Sequence, residues 1–163
     1  MKVVADSGPL ISLASISQLD LLRSLFDIIC IPQAVFQEVV DAGNGRAGSE
    51  EVAHAKWIER HAVKNKREVG RFMTDDGLDK GEGEAIVLAR EMNARLLIID
   101  DRIARDCAAS QNISIIGTAG ILLLAKEDQF IRSVREPLDE LLRRGFYLSA
   151  RSYTKIIQTA EED

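Results

Sequence analysis

The sequence is poor in the residues on which disulfide scaffolds and zinc fingers depend. Its 163 residues include 2 cysteines, 2 histidines and 3 prolines. Cys30 and Cys107 form no C-x-x-C motif, and neither His54 nor His61 has a cysteine nearby in the sequence. A zinc site is therefore not expected, and both thiols are expected to be buried and reduced.

Positive charge and long apolar runs are also scarce. The chain has 21 Lys and Arg against 26 Asp and Glu, a formal net charge of -5 at pH 7. Coating a nucleic acid by bulk charge needs the opposite balance, although a metal ion and a local basic patch could still recruit one. No run approaches the roughly 18 apolar residues of a membrane helix, and no apolar leader opens the sequence. We expect a cytoplasmic protein with no membrane association.

Short apolar runs alternate with segments of helical periodicity. The runs predicted as strands are residues 3–5, 28–31, 96–99 and 113–116. The segments predicted as helices begin near Pro9, Ser17, Pro32, Ser49, Gly81, Arg102, Ile121 and Val134. Residues 64–79 are polar and mixed in charge, and we expect a short strand and a mobile loop there.

This alternation predicts the α/β class, as a three-layer sandwich in which helices flank a short central parallel sheet. We expect a single domain over residues 1–163, with a core of about residues 1–126 and a helical tail of about residues 127–163. Because crossover connections are right-handed, the loops after the strands gather at one edge of the sheet, where ligand sites form.

Acidic residues follow two of the predicted strands. Asp6 ends the first strand, and Asp100 and Asp101 end a later one, while Glu38 and Glu84 lie on helices that face the same edge. Carboxylates gathered without basic partners repel one another, so such a cluster usually contains a cation. A few hard oxygen ligands favour Mg²⁺ or Mn²⁺, ions that promote phosphodiester hydrolysis.

Each of these acids also has a purely structural interpretation. Asp6 could cap the helix that follows it, and so could Asp100 or Asp101. Glu38 alone is an ordinary solvated acid on a helix, and Glu84 suits the N-terminus of a helix through the macrodipole. The placement of acids after two different strands is what favours a metal site.

Four segments resemble the motifs of PIN-domain nucleases. Asp6 lies in VVADSGPLI (residues 3–11), Glu38 in IPQAVFQEV (31–39), Glu84 in GEGEAIVLA (81–89) and the doubled aspartate in LIIDDR (97–102), and the pattern continues at Gly117-Thr118. The sequence is most similar to a PIN-like branch related to VapC-type toxins. It departs from the common toxin pattern at the third motif, where Glu84 stands in place of Asp.

The resemblance implies a Mg²⁺- or Mn²⁺-dependent endoribonuclease that could be the toxin of a toxin–antitoxin pair. It implies single-stranded or structured RNA as substrate, an antitoxin protein as a candidate partner, and a homodimer. The catalytic and metal-binding residues it implies are Asp6, Glu38, Glu84 and Asp101, with Asp100 a rival for the last position. Ser7 and Thr118 would support the metal site, and Arg102 and Arg105 are candidates for binding substrate phosphates.

Two other functions fit the pattern. The domain could be a PIN-like binding module that acts through a protein partner without turnover. It could also be a phosphoryl-transfer domain of the receiver or haloacid-phosphatase type, which likewise places Asp after the first strand. The phosphatase version needs D-x-D there, and residues 6–8 read Asp-Ser-Gly.

Overall fold

Five short parallel strands form the centre of the molecule in the computed structural model, which describes residues 2–163. In chain order the strands are β1 (Val3–Ala5), β2 (Ile29–Pro32), β3 (Ile58–His61), β4 (Leu96–Ile98) and β5 (Ile115–Ile116). They lie across the sheet in the order β3-β2-β1-β4-β5, so β1 is central and β3 and β5 are the edges.

Helices make the connections between the strands. They are α1 (Ser7–Ser15), α2 (Asp20–Phe26), α3 (Gln33–Phe36), a π-helical turn (Gln37–Asp41), α4 (Ser49–His54), α5 (Lys66–Asp76), α6 (Lys80–Glu91), α7 (Arg102–Ser110), α8 (Thr118–Glu127), α9 (Arg135–Arg143) and α10 (Ala150–Thr159). In the part of the chain that the structure describes, no helix is long and apolar enough to span a membrane.

The sequence of β1 is apolar throughout because this strand is covered on both faces and paired on both sides. Val4 pairs with Cys30 of β2 and with Leu97 of β4, and the whole strand is buried. A strand in this position carries a continuous apolar run rather than an alternating pattern. The parallel sheet expected from the sequence is confirmed.

Helices pack on both faces of the sheet, which confirms the three-layer α/β sandwich. One core joins the sheet to α1, α2, α8, α9 and α10 and includes Leu22 and Leu138. The other joins the sheet to α5, α6 and α7 and includes Phe72 and Ile86. Because Leu138 and its neighbours enter the first core, the helical tail packs on the sheet itself.

Residues 64–79 were wrongly predicted as a strand and a loop. They contain α5, which Asn65 caps by accepting a hydrogen bond from the Glu68 N–H at 3.1 Å. Only Val69 and Phe72 of this helix are buried, so its apolar stripe is too narrow to stand out in the sequence. The strand lies earlier, as β3 at the edge of the sheet.

Ser17, near which the second helix was predicted to begin, does not cap that helix. Ser17 has a φ of 57° and its N–H donates to the Ala14 carbonyl at 3.0 Å, so it ends α1. Leu19 occupies the N-cap position of α2 instead. The other predicted helices and strands are present, with shifted boundaries.

The C-terminal tail is fixed by one carboxylate. Glu162 accepts hydrogen bonds from Lys126 Nζ (2.8 Å), from the N–H groups of Val134 (2.8 Å) and Arg135 (3.1 Å), and from Ser133 Oγ (3.1 Å). Burial raises the pKa of this carboxyl, but the four donors outweigh burial and bring the pKa to about 2.

Candidate metal centre

Helix N-termini converge at the carboxyl edge of the sheet. The helices α1, α3 and α8 begin almost directly after β1, β2 and β5, and α7 begins shortly after β4. The unpaired N–H groups and positive partial charge of helix N-termini favour carboxylates there. Six acids lie at this edge, and their charges help to raise the pKa of three of them, Asp6, Glu38 and Glu82. We call this group the acid cluster; its members are Asp6, Glu38, Asp79, Glu82, Glu84 and Asp101.

Asp6 is the most deeply buried member of the acid cluster, with 5% of its surface exposed. Its side chain accepts no capping hydrogen bond at the start of α1, and within residues 2–163 its buried Oδ1 has no hydrogen-bond partner. Burial raises the pKa of this carboxyl, and a hydrogen bond from the Ser7 N–H lowers it. The charges of Glu82, Asp79 and Glu38 raise it further, so that the pKa is about 8. The capping interpretation of Asp6 is therefore not supported.

Glu38 lies half-buried in the π-helical turn, a distortion that is frequent at functional sites. Ser7 Oγ donates a hydrogen bond to its Oε2 at 2.9 Å. Its other oxygen lies against the bare Cα of Gly81, where a Cβ would overlap it. Burial raises the pKa of Glu38, Ser7 opposes this, and Asp79 and Glu84 raise it further.

Glu84 is buried in α6 and connects this helix to α3. Its Oε1 accepts a hydrogen bond from the Ala34 N–H at 3.0 Å. Ala34 lies in the first turn of α3, so the carboxylate satisfies one of the N–H groups that a helix start leaves unpaired. This contact holds α6 and α3 in place around the acid cluster.

Asp79 and Glu82 belong to the acid cluster although sequence analysis did not select them. Asp79 Oδ1 accepts from the Glu82 N–H at 2.8 Å, and Glu82 Oε1 accepts from the Asp79 N–H at 2.9 Å. This reciprocal capping box at the start of α6 could have been read from the D-x-x-E spacing. Burial raises the pKa of Glu82 to about 7, with Asp79, Asp101 and Glu38 adding to the shift and the Asp79 N–H opposing it.

The two adjacent aspartates after β4 point to different partners. Asp100 accepts hydrogen bonds from Thr118 on both oxygens, from N–H at 2.7 Å and from Oγ1 at 2.6 Å. Asp101 uses only Oδ2, which accepts from the Ala104 N–H at 3.0 Å and caps α7, and its charge raises the pKa of Glu82. This geometry favours Asp101 as the member of the acid cluster and gives Asp100 and Thr118 a supporting position beside it.

The composition of the acid cluster fits a divalent cation. Among residues 2–163, none of the six acids takes part in an ion pair with Lys or Arg. No three of their oxygens lie within 4.8 Å of one another in the described residues, as expected for carboxylates that repel. The buried oxygen of Asp6, which lacks a partner, supplies the position where a cation would offset this repulsion.

A groove of about 980 Å³ adjoins the acid cluster at Asp101. It is lined by Arg102 and Arg105, which were predicted from the sequence as candidates for substrate contacts. Arg102 is exposed, whereas Arg105 is half-buried and donates to the Ile99 carbonyl at 3.0 Å. Arg102 is therefore free to reach a ligand, and Arg105 shapes the wall of the groove.

The helical tail supplies the other side of this groove. Arg144, Lys155 and Tyr147 line it, and Tyr147 is 85% exposed. These residues could not be selected from the sequence because they come from segments far along the chain from the four motifs. Their common position follows only from the packing of α9 and α10 on the sheet.

Comparison with known proteins agrees with the fold. A family model described as a PIN domain matches residues 2–162. The structure is similar to that of a PilT N-terminus domain protein from the hyperthermophilic archaeon Sulfolobus solfataricus P2, with a TM-score of 0.51 and 18% sequence identity over 91% of this chain and 100% of that one. No curated protein gives a significant match. The chain belongs to the PIN-domain family.

Proposed function

We propose that this chain is an endoribonuclease that hydrolyses RNA phosphodiester bonds with Mg²⁺ or Mn²⁺ bound in the acid cluster. The observation that carries the proposal is the buried Oδ1 of Asp6, which has no partner within residues 2–163 and lies among carboxylates that raise its pKa. Membership of the PIN-domain family supports it, since PIN domains are generally nucleases that depend on these ions.

Four carboxylates would hold the ion. Glu38 and Glu84 lie on two helical elements, and Asp6 and Asp101 follow two different strands, so the intact fold is needed to bring them together. A divalent cation supplies Lewis-acid stabilisation of phosphate charge and activation of water for hydrolysis. Ser7 positions Glu38 through its hydrogen bond.

The groove beside Asp101 is the proposed path of the RNA. Arg102, Arg144 and Lys155 would contact phosphates there, and the exposed ring of Tyr147 would stack on a base. Cationic grooves with exposed aromatic rings are typical of sites for unpaired nucleic acid. We therefore favour single-stranded RNA or loops over duplex RNA.

The central experiment is cleavage of a mixed RNA pool by the purified protein with Mg²⁺ or Mn²⁺. We expect EDTA to abolish cleavage. Asp6→Asn should lower the cleavage rate by at least about 100-fold, because the metal ligands should be essential for water activation. Asp128→Asn is the matched control, since Asp128 lies exposed at the far end of α8. Cleavage that survives Asp6→Asn undiminished would refute the proposal.

The groove can be tested separately. Tyr147→Ala should weaken binding of unpaired RNA by about 1–3 kcal/mol, the usual contribution of one stacked base. Arg144→Ala and Lys155→Ala should raise KM and reduce the salt dependence of binding, with kcat little changed. If the wild type binds RNA in the groove but never cleaves it, the chain acts as a binding module and not as an enzyme. The toxin role, the antitoxin partner and the homodimer stay predictions.

A further inference from the structure

A cysteine, a glutamate and a histidine meet on the sheet away from the acid cluster. The parallel register places Cys30 of β2 opposite Glu59 of β3, and Pro32 opposite His61. Glu59 and His61 are two residues apart on one strand and therefore point to the same face, which the paired Cys30 shares. The ligand atoms of Cys30, Glu59 and His61 all lie within 4.8 Å of one another.

We propose that Cys30, Glu59 and His61 bind a divalent transition metal, with Zn²⁺ the best match, at a second site independent of the acid cluster. Thiolate, imidazole and carboxylate are the three side-chain ligands that Zn²⁺ takes in proteins. Thiolate disfavours Mg²⁺ and Mn²⁺, which prefer oxygen. Three protein ligands leave one coordination position open to water or an external ligand.

The distances suit such an ion. His61 Nε2 and Glu59 Oε1 lie 3.2 Å apart. Nitrogen and oxygen ligands on a tetrahedral zinc ion, each about 2.0–2.1 Å from the metal, lie about 3.3 Å from each other. These two donors thus already have the required separation, and the Cys30 sulfur lies within 4.8 Å of both. As the zinc–sulfur bond forms, the thiol proton passes to solvent.

The three proposed ligands differ in exposure, and this difference leaves a path by which a metal ion could enter. Cys30 is 1% exposed, whereas 43% of the Glu59 side chain and 35% of the His61 side chain are exposed. The ion would enter from the solvent side of the edge strand β3 and meet the thiol at the closed end. Bound there, it would tie β3 to β2 and stabilise the folded state by mass action.

The charges that act on the Cys30 thiol do not come from the acid cluster. Burial raises the pKa of the Cys30 thiol; the charges that act on it are those of Glu59, which raises it, and Lys2, which lowers it. Neither residue belongs to the acid cluster. This site could not be predicted from the sequence, because the cysteine and the histidine are brought together by strand pairing and are not close in the sequence.

Titration with Co²⁺, a spectroscopic substitute for Zn²⁺, tests the proposal directly. We expect the wild type to develop a thiolate-to-metal charge-transfer band with one equivalent of Co²⁺, and Zn²⁺ to displace it. Cys30→Ser should abolish the band. His61→Gln should lower metal affinity by at least about 10–100-fold, since the loss of even an outer partner costs that much. Zn²⁺ should raise the Tm of the wild type by more than that of His61→Gln.

The chain contains matched controls for both ligands. Cys107→Ser and His54→Gln alter the chain's other cysteine and its other histidine, and both variants should keep the band. Asp6→Asn should keep it as well, whether or not the chain cleaves RNA. If Cys30→Ser fails to fold, His61→Gln decides the question, because His61 is partly exposed. No band in the wild type, or unchanged metal affinity in His61→Gln, overturns the proposal.

Discussion

Asp6→Asn should change how the stability of the protein depends on pH. The pKa of Asp6 is about 8 in the folded chain against 3.8 for an ordinary aspartate. Between these values the folded state keeps a proton that the unfolded state has released, so wild-type stability falls as pH rises from about 4 to about 8. Each pH unit in this window costs about 1.4 kcal/mol.

The Asn side chain of the variant has the same shape as Asp but no proton to lose. Relative to Asp6→Asn, the wild type should therefore lose about 3–4 kcal/mol of unfolding free energy between about pH 5 and about pH 8. Glu38 and Glu82 titrate in both proteins, so their contributions largely cancel in the difference. The comparison isolates the cost of ionising one buried carboxyl.

Urea denaturation in EDTA, followed by circular dichroism across this pH range, measures the difference. Adding excess Mg²⁺ near pH 8 should restore stability to the wild type and leave Asp6→Asn unchanged, because only the ionised carboxylate can bind the ion. Asp128→Asn should show no pH-dependent difference from the wild type. A difference between Asp6→Asn and the wild type that stays constant with pH would refute the reasoning.

Three further substitutions test other contacts. Glu162→Gln should lower the free energy of unfolding by about 1–3 kcal/mol above about pH 4.5. This loss should disappear as the pH falls towards about 2, the pKa of Glu162 in the folded state, and acid denaturation measures it. Gly81→Ala places a methyl group against the Glu38 carboxylate, so calorimetry should show weaker Mg²⁺ binding in a folded protein. Thr118→Val leaves Asp100 Oδ2 without its donor and should cost about 1–3 kcal/mol in urea denaturation.

Two of these changes have matched controls. Gly70→Ala alters a glycine of α5 that has open space around it, and should stabilise by about 0.5–1 kcal/mol with Mg²⁺ binding intact. Thr118→Ser keeps the hydroxyl and should keep most of the stability. Unaltered Mg²⁺ binding by Gly81→Ala would count against Glu38 as a ligand. A loss in Glu162→Gln that persists at low pH would point to packing instead of charge.

The centre of the fold could be predicted because its strands lie in one kind of environment. Val3–Ala5 and Leu96–Ile98 are enclosed by neighbouring strands and by helices, so their sequences are apolar runs that end at acids. The edge strand Ile58–His61 was missed because it reads Ile-Glu-Arg-His and is only partly buried. Its strand character comes from pairing with β2, which a single sequence does not display.

The candidate site was predictable in its location but not in its contacts. The carboxyl edge of a parallel sheet is where ligands bind, and that rule selected Asp6 and the doubled aspartate. Which of Asp100 and Asp101 faces the acid cluster depends on the position of Thr118, which the sequence does not reveal. Cys30 and His61 became neighbours only through the β2–β3 register.

Capping and metal binding are not exclusive roles for the acids of this site. Asp79, Asp101 and Glu84 each accept a backbone N–H at a helix start, and Asp100 does the same for α8. Those N–H groups and the helix dipoles offset part of the repulsion among the carboxylates, so the fold can hold them together. Asp6 makes no capping hydrogen bond at the start of α1, its buried Oδ1 has no partner within residues 2–163, and its pKa is about 8. The negative charge of Asp6 is therefore the least compensated in the acid cluster, and a cation bound there would stabilise the protein most.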